Sequence, residues 1–203
     1  MCKRFSNPKN NSQSIDMRMF ANMSLSIWKN ASPRLKRILS TIAILILCLA
    51  VIIAGTATPV PQEQASEISN DLNQTVQSLL ENDALLQYIF GNNFMICLIM
   101  FIPIFGPIFG LYVLYNTGAV IGAIAIAGNF PPLLGFLVLL LTPVAWLEFF
   151  AYSIAIAESV WLVRRILQRR IRHELVNASI LISICAVLLL LGAIIEIVMI
   201  AGV

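Results

Sequence analysis

Charge is scarce in this chain. Only 11% of its 203 residues are Asp, Glu, Lys or Arg, against roughly a quarter in soluble domains. With 59% apolar residues and a mean hydropathy of +0.88, the polar surface is too small to keep a monomer dispersed in water. This excludes a disordered chain, a collagen-like fibre and an ordinary cytosolic enzyme. Histidine is limited to His173, which stands beside Arg172 and Glu174 and reads as a solvated or headgroup position. Cys2, Cys48, Cys97 and Cys185 are widely dispersed, so there is no C-x-x-C pair, zinc spacing or disulfide framework. A P-loop, a nucleophile elbow, H-E-x-x-H and G-x-G-x-x-G after a strand are all lacking. The expectation is a non-enzymatic protein that takes no cofactor and no metal.

Basic residues are missing altogether from positions 38 to 163. The 13 Lys and Arg fall into two blocks: Lys3, Arg4, Lys9, Arg18, Lys29, Arg34, Lys36 and Arg37, then Arg164, Arg165, Arg169, Arg170 and Arg172. Between them lie Glu63, Glu67, Asp71, Glu81, Asp83, Glu148 and Glu158. Cationic loops of membrane proteins stay cytoplasmic and carboxylates weigh little, so both blocks are expected inside. Basic blocks also suit nucleic acid, but flanking apolar runs they set topology and touch anionic lipid. The expected partners are therefore the lipid bilayer and other membrane or extracytoplasmic proteins, a homo-oligomer among them, and not nucleic acid.

What the chain does have is apolar runs. Ile38 to Gly55 would rise about 27 Å as a helix, close to the hydrocarbon thickness. It reads as a first transmembrane helix over 38–58, with a cleavable signal peptide as the alternative that the long basic segment 1–37 disfavours. Within that segment Met19, Phe20, Met23 and Ile27 share a helical face, either an interfacial helix or scattered apolar residues in a tail. Segment 59–91 is acidic and expected to be extracytoplasmic. In it Ala65, Ile68, Leu72, Val76 and Leu79 recur at spacings of three and four, the mark of an amphipathic helix. Ile68, Leu72, Val76 and Leu79 are the candidate partner contacts.

Residues 92–163 read as a central membrane module of about three crossings. A kinked second span is expected over Phe94 to Tyr115, capped by Asn92 and Asn93 and broken by Pro103, Gly106, Pro107 and Gly110. Asn116 is expected at the turn that follows. A third stretch, Gly118 to Gly128, stops at Asn129-Phe130-Pro131-Pro132, and a fourth runs from Leu133 through Pro143 to Val163. Parity between the basic blocks requires two crossings in 117–163, as full spans or as half-helices packed by neighbours. A basic cytoplasmic loop at 164–174 and a last transmembrane helix at 175–203 complete the expectation. This is an all-α polytopic membrane protein with about five spans, N-terminus cytoplasmic and C-terminus extracytoplasmic.

Glu148 is the most informative single residue, since an acid near a helix centre costs about 2.5–3.5 kcal/mol on the insertion scale. It follows Pro143 by five residues, so it either locks a helix break or forms a proton or cation site in a transporter component. Gly106 to Gly110 and Gly118 to Gly122 each give G-x-x-x-G, expected to pack adjacent spans against each other.

These residues resemble the stage II sporulation protein M family, polytopic membrane proteins of bacteria and archaea. The resemblance covers roughly residues 88–165: Ile89-Phe90-Gly91-Asn92-Asn93, Phe109-Gly110, Leu114-Tyr115-Asn116-Thr117-Gly118, and Pro143 to Ala151. The family pattern of Pro-His-Gly, two apolar residues and Glu before an alanine-rich helix is matched at Pro143, Trp146, Leu147, Glu148 and Ala151. Val144 and Ala145 replace His-Gly, and Thr117 separates Asn116 from Gly118. The resemblance implies a non-enzymatic membrane scaffold; in spore formers the family member is a partner of the wall-degrading stage II sporulation proteins D and P during engulfment.

Overall fold

The computed structural model describes residues 32–169 and 171–202, with side chains left aside at 171–173 and 201. The stripe Met19, Phe20, Met23 and Ile27, the basic segment before residue 32, and Arg170 lie outside the described residues. Among those described there are seven helices and no strand: α1 Pro33–Thr56, α2 Gln62–Glu81, α3 Leu85–Met100, α4 Phe105–Ala127, α5 Pro132–Leu141, α6 Pro143–Leu167 and α7 Ile171–Ala201. Four are long and apolar enough to cross a membrane, namely α1, α4, α6 and the Glu174–Ile200 part of α7, while α3 and α5 are shorter apolar helices. The all-α polytopic fold is thus in place. The chain divides into units Met1–Leu39 and Ser40–Val203; the described helical residues of the first are the opening turns of α1, and the packing below belongs to the second.

The central helix is α6. Of its apolar window 61% is buried, against 17% for α1. The cause is side-chain size: Ala151, Ser153, Ala155, Ala157 and Ser159 let neighbouring backbones come close, and all are buried. α7 runs antiparallel to α6, with Arg165 Nε 3.5 Å from Glu174 Oε2 at one end and Gly192 packed beside Val144 and Leu147 at the other. α3 runs parallel to α6, tied at one level by Asn93 to Glu148 and at the other by Ser159 Oγ donating to Ile102 O at 2.7 Å.

The expected second span is two helices. After Met100 the chain turns sharply at Ile102-Pro103-Ile104, and Gly106 and Gly110 both face back onto Met100. Pro103 has no N–H to continue α3. Phe105 N instead donates to Pro103 O at 2.8 Å, closing a γ-turn on Ile104, whose φ is 70° and ψ −55°. A β-branched residue there is strained by about 1–3 kcal/mol. Ile104→Gly is therefore expected to raise unfolding stability in lipid nanodiscs by about 1 kcal/mol after the glycine's own entropic cost. An equal loss would show that the turn is unstrained.

Two further expectations give way here. Asn92 and Asn93 do not cap a helix start, because α3 already begins at Leu85, after Asp83 turns the chain with φ 51°. Nor is Asn116 at a turn: α4 runs unbroken through it, with Asn116 Nδ2 donating to Tyr112 O at 2.8 Å and Thr117 Oγ1 to Val113 O at 3.0 Å. Those bonds satisfy both polar side chains within the helix and remove the need for a break. The stretch beginning at Gly118 is accordingly the second half of α4. It ends where Asn129 takes φ 58° ahead of Pro131-Pro132. The fourth stretch is divided too. α5 is a 10-residue half-helix, and at Thr142 the backbone extends (ψ 134°) before Pro143 opens α6. Thr142 Oγ1 donates to Leu139 O at 2.7 Å and accepts from Ala145 N at 3.4 Å, serving the free ends of both helices.

The two G-x-x-x-G pairs lie on one helix, α4, and not on adjacent spans. Gly106 and Gly110 face Met100 and Ile156. Gly118 and Gly122 face Ile52 and Thr56 of α1, and Gly55 faces Tyr115, so α1 and α4 cross in parallel with backbones in contact. α2 rests on α4: Ala65 is fully buried, and Gln62 Nε2 donates to Ile126 O at 3.1 Å.

Candidate functional site

Polar side chains inside a membrane bundle need partners, since lipid offers none. In the described bundle they gather where α3, α6 and α7 meet. α3 contributes Asn93 and, one turn on, Cys97; α6 contributes Glu148 and, one turn on, Tyr152; α7 contributes Glu196 and Cys185. The spacing of four residues places the α3 pair and the α6 pair each on one face of its helix.

Asn93 Nδ2 donates to Glu148 Oε1 at 2.6 Å, a short bond that pins α3 to α6. Asn92 Nδ2 lies 3.5 Å from Asn93 Oδ1 and is exposed, so Asn92 supports the site from its edge. Glu196 stands on α7 one turn after Gly192, which packs beside Val144 and Leu147 of α6. Tyr152, one turn after Glu148 on α6, is 6% exposed. Below it the Cys97 and Cys185 thiols meet at one acceptor: Cys97 Sγ lies 4.0 Å, and Cys185 Sγ 3.4 Å, from Ala151 O. A second thiol contact, Ser153 Oγ to Cys48 Sγ at 3.9 Å, ties α6 to α1.

Of the residues singled out from sequence, Glu148 and Asn93 are thus brought into direct contact. Pro143 opens α6 five residues before Glu148, so the helix break and the acid are adjacent, but Glu148 accepts from Asn93 and not from freed amides. Asn116 is outside this site, on α4. The four glycines are packing residues, each buried. On α2, Ile68, Val76 and Leu79 are half-buried and Leu72 is 39% exposed. Glu158 is buried on α6, as is Glu174 on α7.

Glu196, Tyr152, Cys97 and Cys185 escaped the sequence reading as site residues. The signal was available: Asn93/Cys97 and Glu148/Tyr152 are polar pairs at helical spacing in apolar segments. No group of three or more His, Cys, Asp or Glu suited to a metal ion occurs among the described residues. The site offers carboxylate and amide oxygens and two thiols.

Comparison with known proteins yields one finding. The family model for Stage II sporulation protein M matches residues 38–199. No curated protein and no solved structure matches.

Proposed function

The chain belongs to the stage II sporulation protein M family, and from that premise we propose that it is a non-enzymatic, multi-pass membrane scaffold that contacts an extracytoplasmic protein through α2. The observation that carries this reading is the uneven cover of α2. Its first turns are fixed on α4 by buried Ala65 and by Gln62, while further along Leu72 and Leu80 are 39% and 41% exposed. Glu63, Glu67, Asp71 and Glu81 point into the open around them. A polar helix clamped at one end, with apolar residues open on the other, suits a protein partner with a complementary apolar strip and a basic rim.

Sidedness follows the positive-inside rule, with the N-terminus cytoplasmic and the C-terminus extracytoplasmic. Five crossings meet that rule if the 16-residue α3, about 24 Å long, crosses as the short partner of α4. Tilt of the neighbours or local thinning of the bilayer absorbs the mismatch.

The test is co-purification and crosslinking of the full chain from its native membrane. Leu72→Asp plus Leu79→Asp is expected to lower recovery of the partner at least tenfold while leaving the protein's abundance in the membrane unchanged. Partners retained in full by that variant would refute contact through α2.

A further inference from the structure

We propose that the corner joining α6 to α7 binds the phosphate of an anionic phospholipid, with Arg164 and Arg169 as its donors and Trp161 as the platform that orients Arg164. The first observation is charge without local compensation. Between Glu158 and Glu174 the chain carries Arg164, Arg165, Arg169, Arg170 and Arg172, and no Asp or Glu. The helices on either side fix the level of these cations. The apolar spans are Pro143–Leu167 and Glu174–Ile200, so residues 168–173 alone connect them, and α7 already begins at Ile171. A turn that tight keeps its arginines at the headgroups, where Trp161 also belongs.

The second observation is that the arginines are sorted. Arg165 is committed to the fold: its Nε lies 3.5 Å from Glu174 Oε2, and its guanidinium donates to Gln168 Oε1 at 3.3 Å. Arg164 turns the other way. Its guanidinium carbon sits 5.4 Å from the centre of the Trp161 ring, and no hydrogen bond or ion pair among the described residues takes up its N–H groups. Stacking on an indole face holds the planar fork in place and leaves its edges free, and those edges match two phosphate oxygens. Arg169 is exposed and closes α6 with φ 55°, a conformation more often given to glycine. The third observation selects a lipid over a soluble anion. Val160 is 50% exposed and Leu167 80%, each within one turn of Arg164 on its own face of α6. Nucleic acid or free phosphate gains nothing from those side chains, whereas acyl chains cover them while the guanidinium groups meet the phosphate. The site uses neither α2 nor its partner, so it is independent of the scaffold contact proposed above.

The experiment reconstitutes the full chain in phosphatidylcholine bilayers and compares spin-labelled phosphatidylglycerol with spin-labelled phosphatidylcholine by the fraction of each that the protein immobilises. The phosphatidylglycerol label is expected to associate several-fold more strongly. Arg164→Gln and Arg169→Gly should each lower that preference by up to about fivefold, the share of one arginine at an anionic surface. Trp161→Leu should lower it through Arg164, and so add nothing in a chain that already carries Arg164→Gln. Glycine suits the positive φ at 169, and Arg164→Gln removes no hydrogen bond among the described residues, so unfolding midpoints of both variants should match the parent. Equal association of the two labels would overturn the proposal. A preference that survives Arg164→Gln plus Arg169→Gly in full would do the same, placing it on the other basic block. Displacement of the lipid label by inorganic phosphate or by a short DNA duplex would give these arginines to a soluble anion, and overturn it too.

Discussion

Gly118→Leu is expected to abolish stable accumulation of the protein. A β-carbon at Gly118 would run into the Ile52 carbonyl and stand 2.9 Å from Thr56 N. Both obstacles are backbone, so no rotamer change can relieve them. The neighbouring contacts are as close: a β-carbon on Gly55 would meet the Tyr115 carbonyl, and one on Gly122 would lie 2.6 Å from Thr56 O. α1 and α4 must therefore separate along the whole crossing. In lipid no hydrophobic force presses helices together, so lost van der Waals contact is lost stability. The Thr58–Tyr115 hydrogen bond of 2.8 Å goes with it. The cost is expected to reach about 3 kcal/mol, the upper end of overpacking, and Gly118→Ala should show a smaller part of it. Gly91→Ala is the contrast, since nothing lies within 4 Å of a β-carbon there and glycine weakens the exposed face of α3. It should gain about 0.5–1 kcal/mol. Unfolding in nanodiscs and abundance in membranes measure both. Equal behaviour of Gly118→Ala and Gly91→Ala would remove the backbone contact from the account.

Legibility in the sequence followed how much each segment is decided by lipid and how much by packing. The first and last spans are long and strongly apolar, and the expected 38–58 and 175–203 overlap helices Pro33–Thr56 and Ile171–Ala201. The central module was read correctly as broken by Pro and Gly, and the stop at Pro131-Pro132 stands. Its helix ends were misplaced because local cues there point two ways. Asn116-Thr117 resembles a turn, yet both side chains bond to carbonyls one turn back and α4 continues. Pro103 resembles a kink, yet a γ-turn at Ile104 makes it a reversal. The glycine pairs were legible as packing motifs but not their partners, since nothing local to 118–122 names Ile52 and Thr56. The site was half visible: Glu148 stood out as costly in lipid and Asn93 as a cap, but that Asn93 bonds to Glu148 is a tertiary fact set by α3 lying parallel to α6.

That pairing supports a second large effect. Asn93→Leu is expected to destabilise the protein by about 2 kcal/mol, because Glu148 then keeps its desolvation without its donor. Glu148→Leu leaves a neutral amide unsatisfied and should cost about 1 kcal/mol. The double variant should cost less than the sum, since two apolar side chains in contact suit the bundle about as well as the polar pair. Hydrogen bonds between membrane helices have shown couplings averaging about 0.6 and reaching about 1.7 kcal/mol. The 2.6 Å distance places this one near the top of that range. A double-mutant cycle on unfolding free energy reads the coupling directly. Additivity within about 0.3 kcal/mol would mean that Asn93 and Glu148 are independent, and the tie between α3 and α6 would then rest on Ser159 and the apolar core alone.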